Sequence, residues 1–365
     1  MKRFKKICCL LLLLFGMLSV CSACGVEKKT DSSENTQVFI DCIGRQVEIP
    51  ADCERIAAID AFSGEVMVMI GAGGQMVACP QGVKSDSILQ EIHPGLKETS
   101  VVQSGGSINA EALLSLNPDV VLLKYGLYIA EGEVEKLEKL GIPYLVVSYT
   151  TMEEQIDAIQ LIGQVAGGDA SVQAEKICDY YRNTIDLVKE KAEQIPEEER
   201  VRVYHSINQT FRTDGENSLG ADWIEAVGCE NVSVGQTLLA EGDGYFANAE
   251  QIFVWDPDVI ICNENLSKEY FLNDSAFQGL RAVENRQVYN IPVAATRWGQ
   301  QGSAETFFGM LWLGSTVYPE YYSDIDLKQE VTAFYKDILG IQLDDNMYSQ
   351  ILSGEGIRGK SSNLN

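Results

Sequence analysis

A thirteen-residue phrase occurs twice in this 365-residue chain and constrains its architecture more than any other feature. The first copy, NAEALLSLNPDVV, begins at Asn109, and the second, NAEQIFVWDPDVI, begins at Asn248. Six of the thirteen positions are identical without a gap, whereas about one match is expected between unrelated segments. The chain is therefore predicted to contain two related units with one copy in each.

Each copy predicts a short helix followed by a buried strand. The initial asparagine is a good helix N-cap, and the glutamate two residues later lies in the first turn, where the helix dipole favours a carboxylate. An Asn-Pro or Asp-Pro pair ends the helix because proline cannot continue it. Taken singly, Glu111 and Glu250 are simple helix-stabilising acids. Their matched positions indicate a pseudo-symmetric pair of carboxylates on one face of the molecule.

The order of elements around the two copies predicts two α/β lobes. Apolar strands alternate with helices in residues 38–166, and the alternation resumes after residue 197, as in parallel sheets. Within residues 167–196, the 27-residue run from Ala170 to Pro196 keeps apolar side chains at helical spacing with no breaker before Pro196, which predicts one helix roughly 40 Å long. We expect an N-terminal lobe (38–166), a connecting helix (167–196) and a C-terminal lobe with a helical tail (197–365).

The N-terminus predicts export and a lipid anchor. Residues 1–23 combine a basic start, MKRFKK, with an apolar run too short for a comfortable membrane span, as in secretory signals. Ser22 and Ala23 before Cys24 resemble a bacterial lipobox, so Cys24 is the expected lipidation site on the extracytoplasmic face of the cell membrane. A diacylated cysteine anchors stably. The polar residues 24–37 predict a flexible tether; simple signal-peptidase cleavage and an uncleaved anchor are the alternatives.

Charge and residue types exclude several classes of function. The net charge of −25 argues against a nucleic-acid partner because the basic patches that neutralise phosphates are absent. Among the six cysteines that follow Cys24, Cys42 and Cys53 are the only pair close enough in sequence to indicate a disulfide, and we expect them to be unbridged. These six contain no C-x-x-C pair, so a zinc site is not expected. With only His93 and His205, a site of several histidines for bare Zn²⁺ or Mn²⁺ cannot be assembled.

Four segments resemble the substrate-binding proteins of ABC importers for ferric siderophores, haem and cobalamin: IDCIGRQVEIPADCERI, INAEALLSLNPDVVLL, LEKLGIPYLVV and WIEAVGCENV. The resemblance implies two α/β lobes with parallel-rich central sheets, joined by a single long α-helix, with ligand held between the lobes. It also implies a monomer that delivers its ligand to a permease dimer with a cytoplasmic ATPase. Glu111 and Glu250 would then dock onto arginines of the two permease subunits.

Candidate ligand-binding residues lie in loops at or near the carboxyl ends of predicted strands, where open α/β sheets bind ligands. Aromatic rings would cover an apolar chelate, and cations would neutralise its acidic groups. Arg297 and Trp298 have the most support, although an isolated tryptophan is more often a core residue. His205 lies in an apolar strand and is more often a hydrogen-bonded core histidine than a ligand. The candidates are Phe62, Ser63, Ser104, Lys124, Tyr125, His205, Tyr245, Arg297 and Trp298.

The resemblance favours a small-molecule iron chelate, haem or cobalamin as the transported ligand, with no cofactor of the protein's own. Molybdate or tungstate is the alternative, because helix N-termini and the glycine-rich SGGS segment suit anions. The C-terminal FFGMLWLGSTVYPE also differs from the shorter cobalamin-type ending. An enzyme is not expected, since G-x-S-x-G, H-E-x-x-H, P-loop and dinucleotide motifs are absent. A ligand-sensing or adhesin module without a permease is the remaining alternative.

Overall fold

The computed structural model describes residues 35–242 and 244–357. The predicted signal peptide, most of the tether and Cys24 lie outside the described residues. Within the described ranges, no helix has the length and apolar character required to cross a bilayer. The cysteines of this part are free thiols, so Cys42 and Cys53 are not bridged, as expected.

The described chain begins with the predicted β-hairpin. Strands β1 (Thr36–Ile40) and β2 (Gln46–Pro50) pair antiparallel. The pairing starts at Thr36, two residues before the expected boundary of the lobe at residue 38. The Asp41 carboxylate accepts hydrogen bonds from the N–H of Arg45 at 2.9 Å and of Val146 at 3.0 Å. Asp41 thereby fixes both the turn and its attachment to the first sheet.

The first lobe, here called the N-lobe, is built on a parallel sheet of strand order β4-β3-β7-β8. Its strands are almost wholly apolar and buried, which is typical of parallel sheets covered by helices on both faces. The sheet strands are β3 (Ile56–Ala58), β4 (Met76–Ala78), β7 (Val120–Lys124) and β8 (Tyr144–Val147), and β5 (Gln103–Ser104) and β6 (Ser107–Ile108) form a separate hairpin. The helices are α1 (Ala61–Met69), α2 (Gln81–Ser85), α3 (Ser87–Ile92), α4 (Ala110–Ser115), α5 (Tyr125–Tyr128) and α6 (Glu133–Leu140).

The second lobe, the C-lobe, repeats this plan with a parallel sheet of order β11-β9-β14-β15. Its strands are β9 (Arg202–Ser206), β11 (Glu230–Asn231), β14 (Val259–Cys262) and β15 (Val288–Asn290). A small antiparallel sheet contains β10 (Arg212–Thr213), β12 (Leu239–Glu241) and β13 (Gly244–Phe246). The helices are α9 (Leu219–Ala226), α10 (Ala249–Trp255), α11 (Asn265–Asn273) and α12 (Arg281–Glu284), and the tail has α13 (Thr306–Val317), α14 (Leu327–Asp337) and α15 (Asp345–Leu352).

The two copies of the repeated phrase fold alike. Each forms a short helix, α4 or α10, that leads into an inner strand, β7 or β14. Asn109 and Asn248 cap these helices by accepting from a backbone N–H three residues later, at 3.0 and 2.9 Å. Both turns contain a non-glycine residue in the left-handed region, Asn117 at φ 46° and Asp256 at φ 42°. The predicted helix–turn–strand unit is therefore present twice, with Glu111 exposed in one copy and Glu250 in the other.

Two helices connect the last strand of the N-lobe sheet to the first strand of the C-lobe sheet along the chain. Helix α7 (Met152–Ala166) precedes α8 (Gly168–Ala192), which packs against α7 and against tail helix α13. The 25 residues of α8 span roughly 38 Å. A Cβ placed on Gly163 would lie 2.4 Å from the Ala174 Cβ, so glycine allows the close approach of α7 and α8. Helix α8 ends at Ala192, before the expected residue 196, because Pro196 restricts the residues preceding it.

The last described residues contact both lobes. Residues 197–365 are expected in the C-lobe, and the Ser87 hydroxyl of the N-lobe donates to the Ile357 carbonyl at 2.6 Å. The Val293 N–H donates to the Ile351 carbonyl at 3.0 Å. The tail therefore closes one side of the junction between the lobes.

Residues 291–305, here called the floor loop, connect β15 to α13 and reach across to the N-lobe. The Gln301 amide donates to the Tyr149 carbonyl at 2.9 Å, and the Gly302 N–H donates to the Tyr149 hydroxyl at 3.0 Å. The Gln155 amide of α7 donates to the Ser303 carbonyl at 2.9 Å. These bonds fix a C-lobe loop against the carboxyl edge of the N-lobe sheet.

A pair of buried carboxyl groups lies beneath the floor loop. Glu65 of α1 accepts from the Thr296 hydroxyl and from the Ala304 N–H, both at 3.0 Å. Glu305 accepts from the Thr296 N–H at 3.3 Å and from the Tyr335 hydroxyl. Both glutamates are fully buried, and none of the ion pairs among the described residues includes them. Burial, together with the neighbouring Glu305 carboxylate, raises the pKa of Glu65 well above its ordinary value. Burial raises the pKa of Glu305 to about 7.

This pair predicts that the stability of the protein falls as the pH rises. An acid whose pKa is raised by folding holds its proton more tightly in the native state, so stability is highest below the unfolded value near 4.5. Stability is lost as the pH rises through about 7, where Glu305 ionises, and further where Glu65 ionises. The titratable groups facing the pair are Asp60, Asp86, Tyr149 and Tyr335.

The measurement is the thermal unfolding midpoint between pH 5 and pH 9, followed by circular dichroism. Glu305→Gln removes the titrating proton and is expected to flatten the decline between pH 5 and pH 8. Glu190→Gln, at an exposed position of α8, is the control and should leave the wild-type slope intact. An equal decline in Glu305→Gln and the wild type would contradict the assignment.

Candidate ligand-binding site

The carboxyl ends of both parallel sheets meet at the floor loop. On the N-lobe side, a Cβ placed on Gly302 would lie 3.9 Å from the Ala61 Cβ, just after β3. On the C-lobe side, the Gln300 amide lies 3.5 Å from the Asn208 side-chain oxygen, just after β9. Parallel α/β sheets bind ligands at this edge. The candidate site is therefore the region between the two edges, with the floor loop at its base.

The residues after β3 cap helix α1. The Ser63 hydroxyl donates to the Asp60 carboxylate at 2.6 Å, and the Ser63 N–H donates to it at 2.9 Å. The Phe62 ring is buried with its centroid 4.6 Å from that of Tyr149. Phe62 and Ser63 are thus near the predicted site, but their side chains are occupied by internal contacts in this conformation.

Lys124 and Tyr125 lie at the adjoining strand end and face solvent. Both side chains are exposed, Tyr125 by 45%. Burial raises the pKa of the Asp60 carboxyl, and the nearby Lys124 ammonium opposes that increase. Lys124 therefore supplies positive charge at the N-lobe edge, next to an aromatic ring with free surface.

The equivalent edge of the C-lobe contains a hydrogen-bonded chain of buried polar side chains. His205 Nδ1 lies 2.8 Å from Asp214 Oδ2, and His205 Nε2 lies 3.0 Å from Asn263 Oδ1. Asn231 donates to Asp214 at 2.9 Å. All four side chains are buried. In this conformation His205 has no surface with which to contact a ligand, and it acts through its hydrogen-bond partners instead.

Arg297 brings a partly buried positive charge to the same edge. Its side chain is 14% exposed; Nη2 lies 3.4 Å from the Glu264 carboxylate, and Nη1 donates to the Ile291 carbonyl at 3.3 Å. Burial lowers the pKa of the Arg297 guanidinium, and Glu264 opposes this effect. The guanidinium also acts electrostatically on His205 and Cys262. Arg297 is therefore adjacent to the His205 cluster.

Two donors of this cluster have no acceptor within the protein. They are Nε of Arg297 and Nδ2 of Asn263, both inaccessible to solvent. A buried donor without a partner costs roughly 1–3 kcal/mol, so such groups are rare unless water or a ligand satisfies them. Asn263 directly follows β14 and Arg297 lies in the floor loop, while the side-chain oxygen of Asn290 at the end of β15 is a buried acceptor that also has no partner.

Trp298 differs from its expected role. Its side chain is 0% exposed and packs against Phe308, with ring centroids 5.2 Å apart. The adjacent Gly299 has φ +73°, and a Cβ there would lie 2.7 Å from the Trp223 ring. The floor loop thus turns Trp298 into the core while Arg297 stays at the site. Direct ligand contact by Trp298 is absent from this conformation.

The remaining candidates are spread around the site. Tyr245 lies in β13, 38% exposed, and its ring occupies the space beside Gly215. Ser104 is exposed in the β5–β6 hairpin, whose turn uses Gly105 at φ +56° and Gly106 at φ +82°. The SGGS segment is therefore explained by a tight turn, and its glycines do not lie at the start of a helix.

Two surface cavities lie elsewhere. A groove of about 340 Å³ between the lobes includes Asp86, and one of about 440 Å³ borders the start of α8. Neither is lined by any of the nine predicted ligand residues.

Sequence reasoning missed Asn263, Asp214 and Tyr149. Asn263 directly follows the strand VIIC. The criterion that selected Lys124, a position at the carboxyl end of a predicted strand, therefore also applies to Asn263. Asp214 and Tyr149 carried no comparable signal, because their roles depend on contacts between distant segments.

These features define a class: a two-lobed α/β protein whose candidate ligand site lies between the carboxyl edges of its sheets. Residues 56–295 match the family model described as Periplasmic binding protein. The chain belongs to this family, and the resemblance seen in its sequence is confirmed.

Known proteins share this fold. Molybdate-binding protein MolA of Haemophilus influenzae is 22% identical over 343 residues, covering 87% of this chain and 95% of MolA. The molybdate-bound MolA structure has a TM-score of 0.74 at 21% identity, over 84% of this chain and 99% of that chain. A periplasmic solute binding protein of Veillonella parvula gives 0.71 at 26% identity, over 87% and 97%. Vitamin B12 binding protein BtuF of Vibrio cholerae gives 0.58 at 19% identity, over 73% and 96%.

Trp298 is buried and Tyr125 is exposed, so removing the two rings is expected to change the stability of the protein by different amounts. Trp298→Ala is expected to lower the free energy of unfolding by about 3–5 kcal/mol because it leaves a large cavity. Tyr125→Ala removes an exposed ring and should change it by less than about 0.5 kcal/mol. Urea denaturation followed by circular dichroism measures both. Equal stability of the two variants would show that Trp298 is not a core residue.

Proposed function

We propose that this protein is the extracytoplasmic substrate-binding component of an ABC importer for molybdate or tungstate. The single observation that carries the ligand class is the pair of buried, unpartnered donors, Arg297 Nε and Asn263 Nδ2. A tetrahedral oxyanion has only acceptor atoms and several of them, so it is the kind of ligand that unpartnered donors suit. The likeness to MolA, named as molybdate-binding, supports the same choice.

The charges around the site also favour an anion. Lys124 lies at the N-lobe edge and Arg297 at the C-lobe edge, so an anion between the lobes is attracted from both sides. The rest of the chain is strongly acidic, with a net charge of −25. Localised positive charge on an acidic protein distinguishes the site from the remaining surface.

A metal chelate or cobalamin is the second candidate, and exposed apolar side chains favour it. Tyr125 and Ile129 follow β7, and Leu266, which is 79% exposed, follows β14. Tyr245 adds a further exposed ring. Such side chains suit an organic ligand. Structural relatives named as vitamin B12 and iron-binding proteins share the fold.

The proposal includes a lipid anchor at Cys24, a monomeric body and delivery to a permease dimer through Glu111 and Glu250. Membership of a binding-protein family supports a transport role over catalysis. A sensor or adhesin module with the same ligand specificity is the alternative from another class, and it has no need of both exposed glutamates.

Isothermal titration of the mature protein with molybdate, tungstate, sulfate, a ferric catecholate and cobalamin tests the ligand class. Molybdate or tungstate is expected to bind, and Arg297→Gln to weaken binding roughly 10- to 100-fold, since a hydrogen bond to a charged group contributes about 1.5–3 kcal/mol. Arg182→Gln, which removes a guanidinium from a surface ion pair, is the control. Binding of the catecholate or cobalamin with no response to either oxyanion would establish the second candidate instead.

Uptake by cells tests the docking role separately. Glu111→Lys combined with Glu250→Lys is expected to abolish molybdate uptake while ligand affinity stays within about twofold, because both side chains are exposed and charges at an exposed rim act mainly on association with a partner. Glu190→Lys on α8 is the charge-matched control. Normal uptake by the double variant would favour the sensor or adhesin alternative.

A further inference from the structure

His205 has an oxygen atom opposite each ring nitrogen. Nδ1 lies 2.8 Å from a carboxylate oxygen of Asp214, and Nε2 lies 3.0 Å from Oδ1 of Asn263. A carboxylate and an amide oxygen both accept hydrogen bonds, so with the Asn263 amide in this orientation both ring nitrogens donate. Only the imidazolium form of histidine carries a hydrogen on each ring nitrogen.

Asp214 is held so that it faces the ring. It accepts from the Asn231 amide at 2.9 Å and from the Ser218 hydroxyl at 3.1 Å, and it is itself buried. A buried carboxylate that stays ionised is stabilised by a cationic partner as well as by hydrogen bonds. Among the described residues, His205 is the cationic group in direct contact with Asp214.

We propose that His205 is a positioning residue for the ligand: as a buried imidazolium it holds Oδ1 of Asn263 and so leaves the Asn263 Nδ2 hydrogens free to donate to an oxyanion. The inference rests on the proposed function for its ligand, but the protonation state of His205 does not depend on which ligand binds. The free Nδ2 is the expected consequence of this orientation, since an amide has its oxygen on one side and its nitrogen on the other.

The surroundings of His205 agree with a charged ring. Burial alone lowers the pKa of His205, but the Asp214 carboxylate and the hydrogen bonds to Asp214 and Asn263 raise it above its ordinary value. The positive charge of Arg297 lowers the pKa of His205, and Glu264 forms an ion pair with Arg297. The other neighbours are Cys262, which precedes Asn263 in β14, and the Trp223 ring, whose centroid is 6.1 Å away.

The opposite orientation of Asn263 would have a different chemical meaning. If Nδ2 donated to a neutral Nε2, the Asn263 oxygen would be the unpartnered atom, and it would repel an anion and attract a cation or a donor. The protonation of His205 therefore selects an acceptor-only ligand. The positive charge also adds to that of Arg297 at the same strand ends.

Nitrogen NMR decides the protonation state directly. The chain has only two histidines, so His93→Gln leaves a single histidine in the full mature protein. With ¹⁵N-labelled histidine, both ring nitrogens of His205 are expected to carry protons at pH 7 without ligand, and both to show one-bond couplings to hydrogen. A neutral ring with an unprotonated Nε2 would overturn the proposal, whatever ligand the protein binds.

Binding then tests the orientation. Asn263→Asp keeps an oxygen for His205 but replaces the donor nitrogen, and it is expected to weaken molybdate binding at least tenfold. Asn285→Asp adds the same charge at an exposed position near the opposite edge of the sheet and should change affinity less than twofold. Equal affinities for the two variants would overturn the proposal.

A pH profile separates positioning from a purely structural role. A histidine whose pKa is raised in the folded state stabilises that state fully below the unfolded pKa of 6.5. This stabilisation is lost as the pH rises through the pKa of the folded state. Molybdate affinity of the wild type should fall across the same interval in which the NMR signals of His205 titrate. An affinity independent of pH over that interval would overturn the positioning role. Failure of the wild type to bind molybdate would instead overturn the proposed function and leave the NMR result to decide the state of His205.

Discussion

The contact between Glu65 of the N-lobe and the floor loop of the C-lobe fixes the relation of the two sheets. The Thr296 hydroxyl, near the middle of the loop, and the Ala304 N–H, near its end, both donate to this buried carboxyl group. The loop between them carries Arg297 and turns Trp298 into the core. A buried acid without a cation is costly unless it is hydrogen-bonded or protonated. Glu65 therefore depends on the hydrogen bonds that the floor loop donates to it. The position of the candidate site depends on this contact.

The site itself follows from how parallel sheets end. In both lobes the strands are buried and apolar, so polar groups appear only where the strands stop. Lys124 marks this edge in the N-lobe, and His205, Asn263 and Arg297 mark it in the C-lobe. The C-lobe edge is the more elaborate because its polar groups form a buried network. Such networks hold their members in one arrangement when every donor and acceptor is satisfied, and the two unsatisfied donors are the basis of the proposed anion site.

Much of the fold was predictable from particular segments. The repeated phrase predicted matched helices, turns and strands, whereas the left-handed conformation at Asn117 and Asp256 appears only in the structure. Strand alternation gave two parallel sheets, and the breaker-free run before Pro196 gave the long helix. The candidate site was predicted less well. Arg297, Lys124 and Tyr125 lie at the expected edge, and their roles remain predictions. Trp298 and His205 lie inside the protein, because burial depends on neighbours from distant segments that a local pattern does not reveal.

The sequence by itself determined the two-lobed class, the equivalence of Glu111 and Glu250, and the strand ends at which polar side chains collect, because these depend on local periodicity and on a repeat within the chain. Only the tertiary structure decided that Glu65 meets Glu305, that Tyr149 meets the floor loop, and that Asp214 and Asn263 face the two nitrogens of His205. These are contacts between residues far apart in the chain. Their geometry is set by how the lobes pack, and no short segment encodes it.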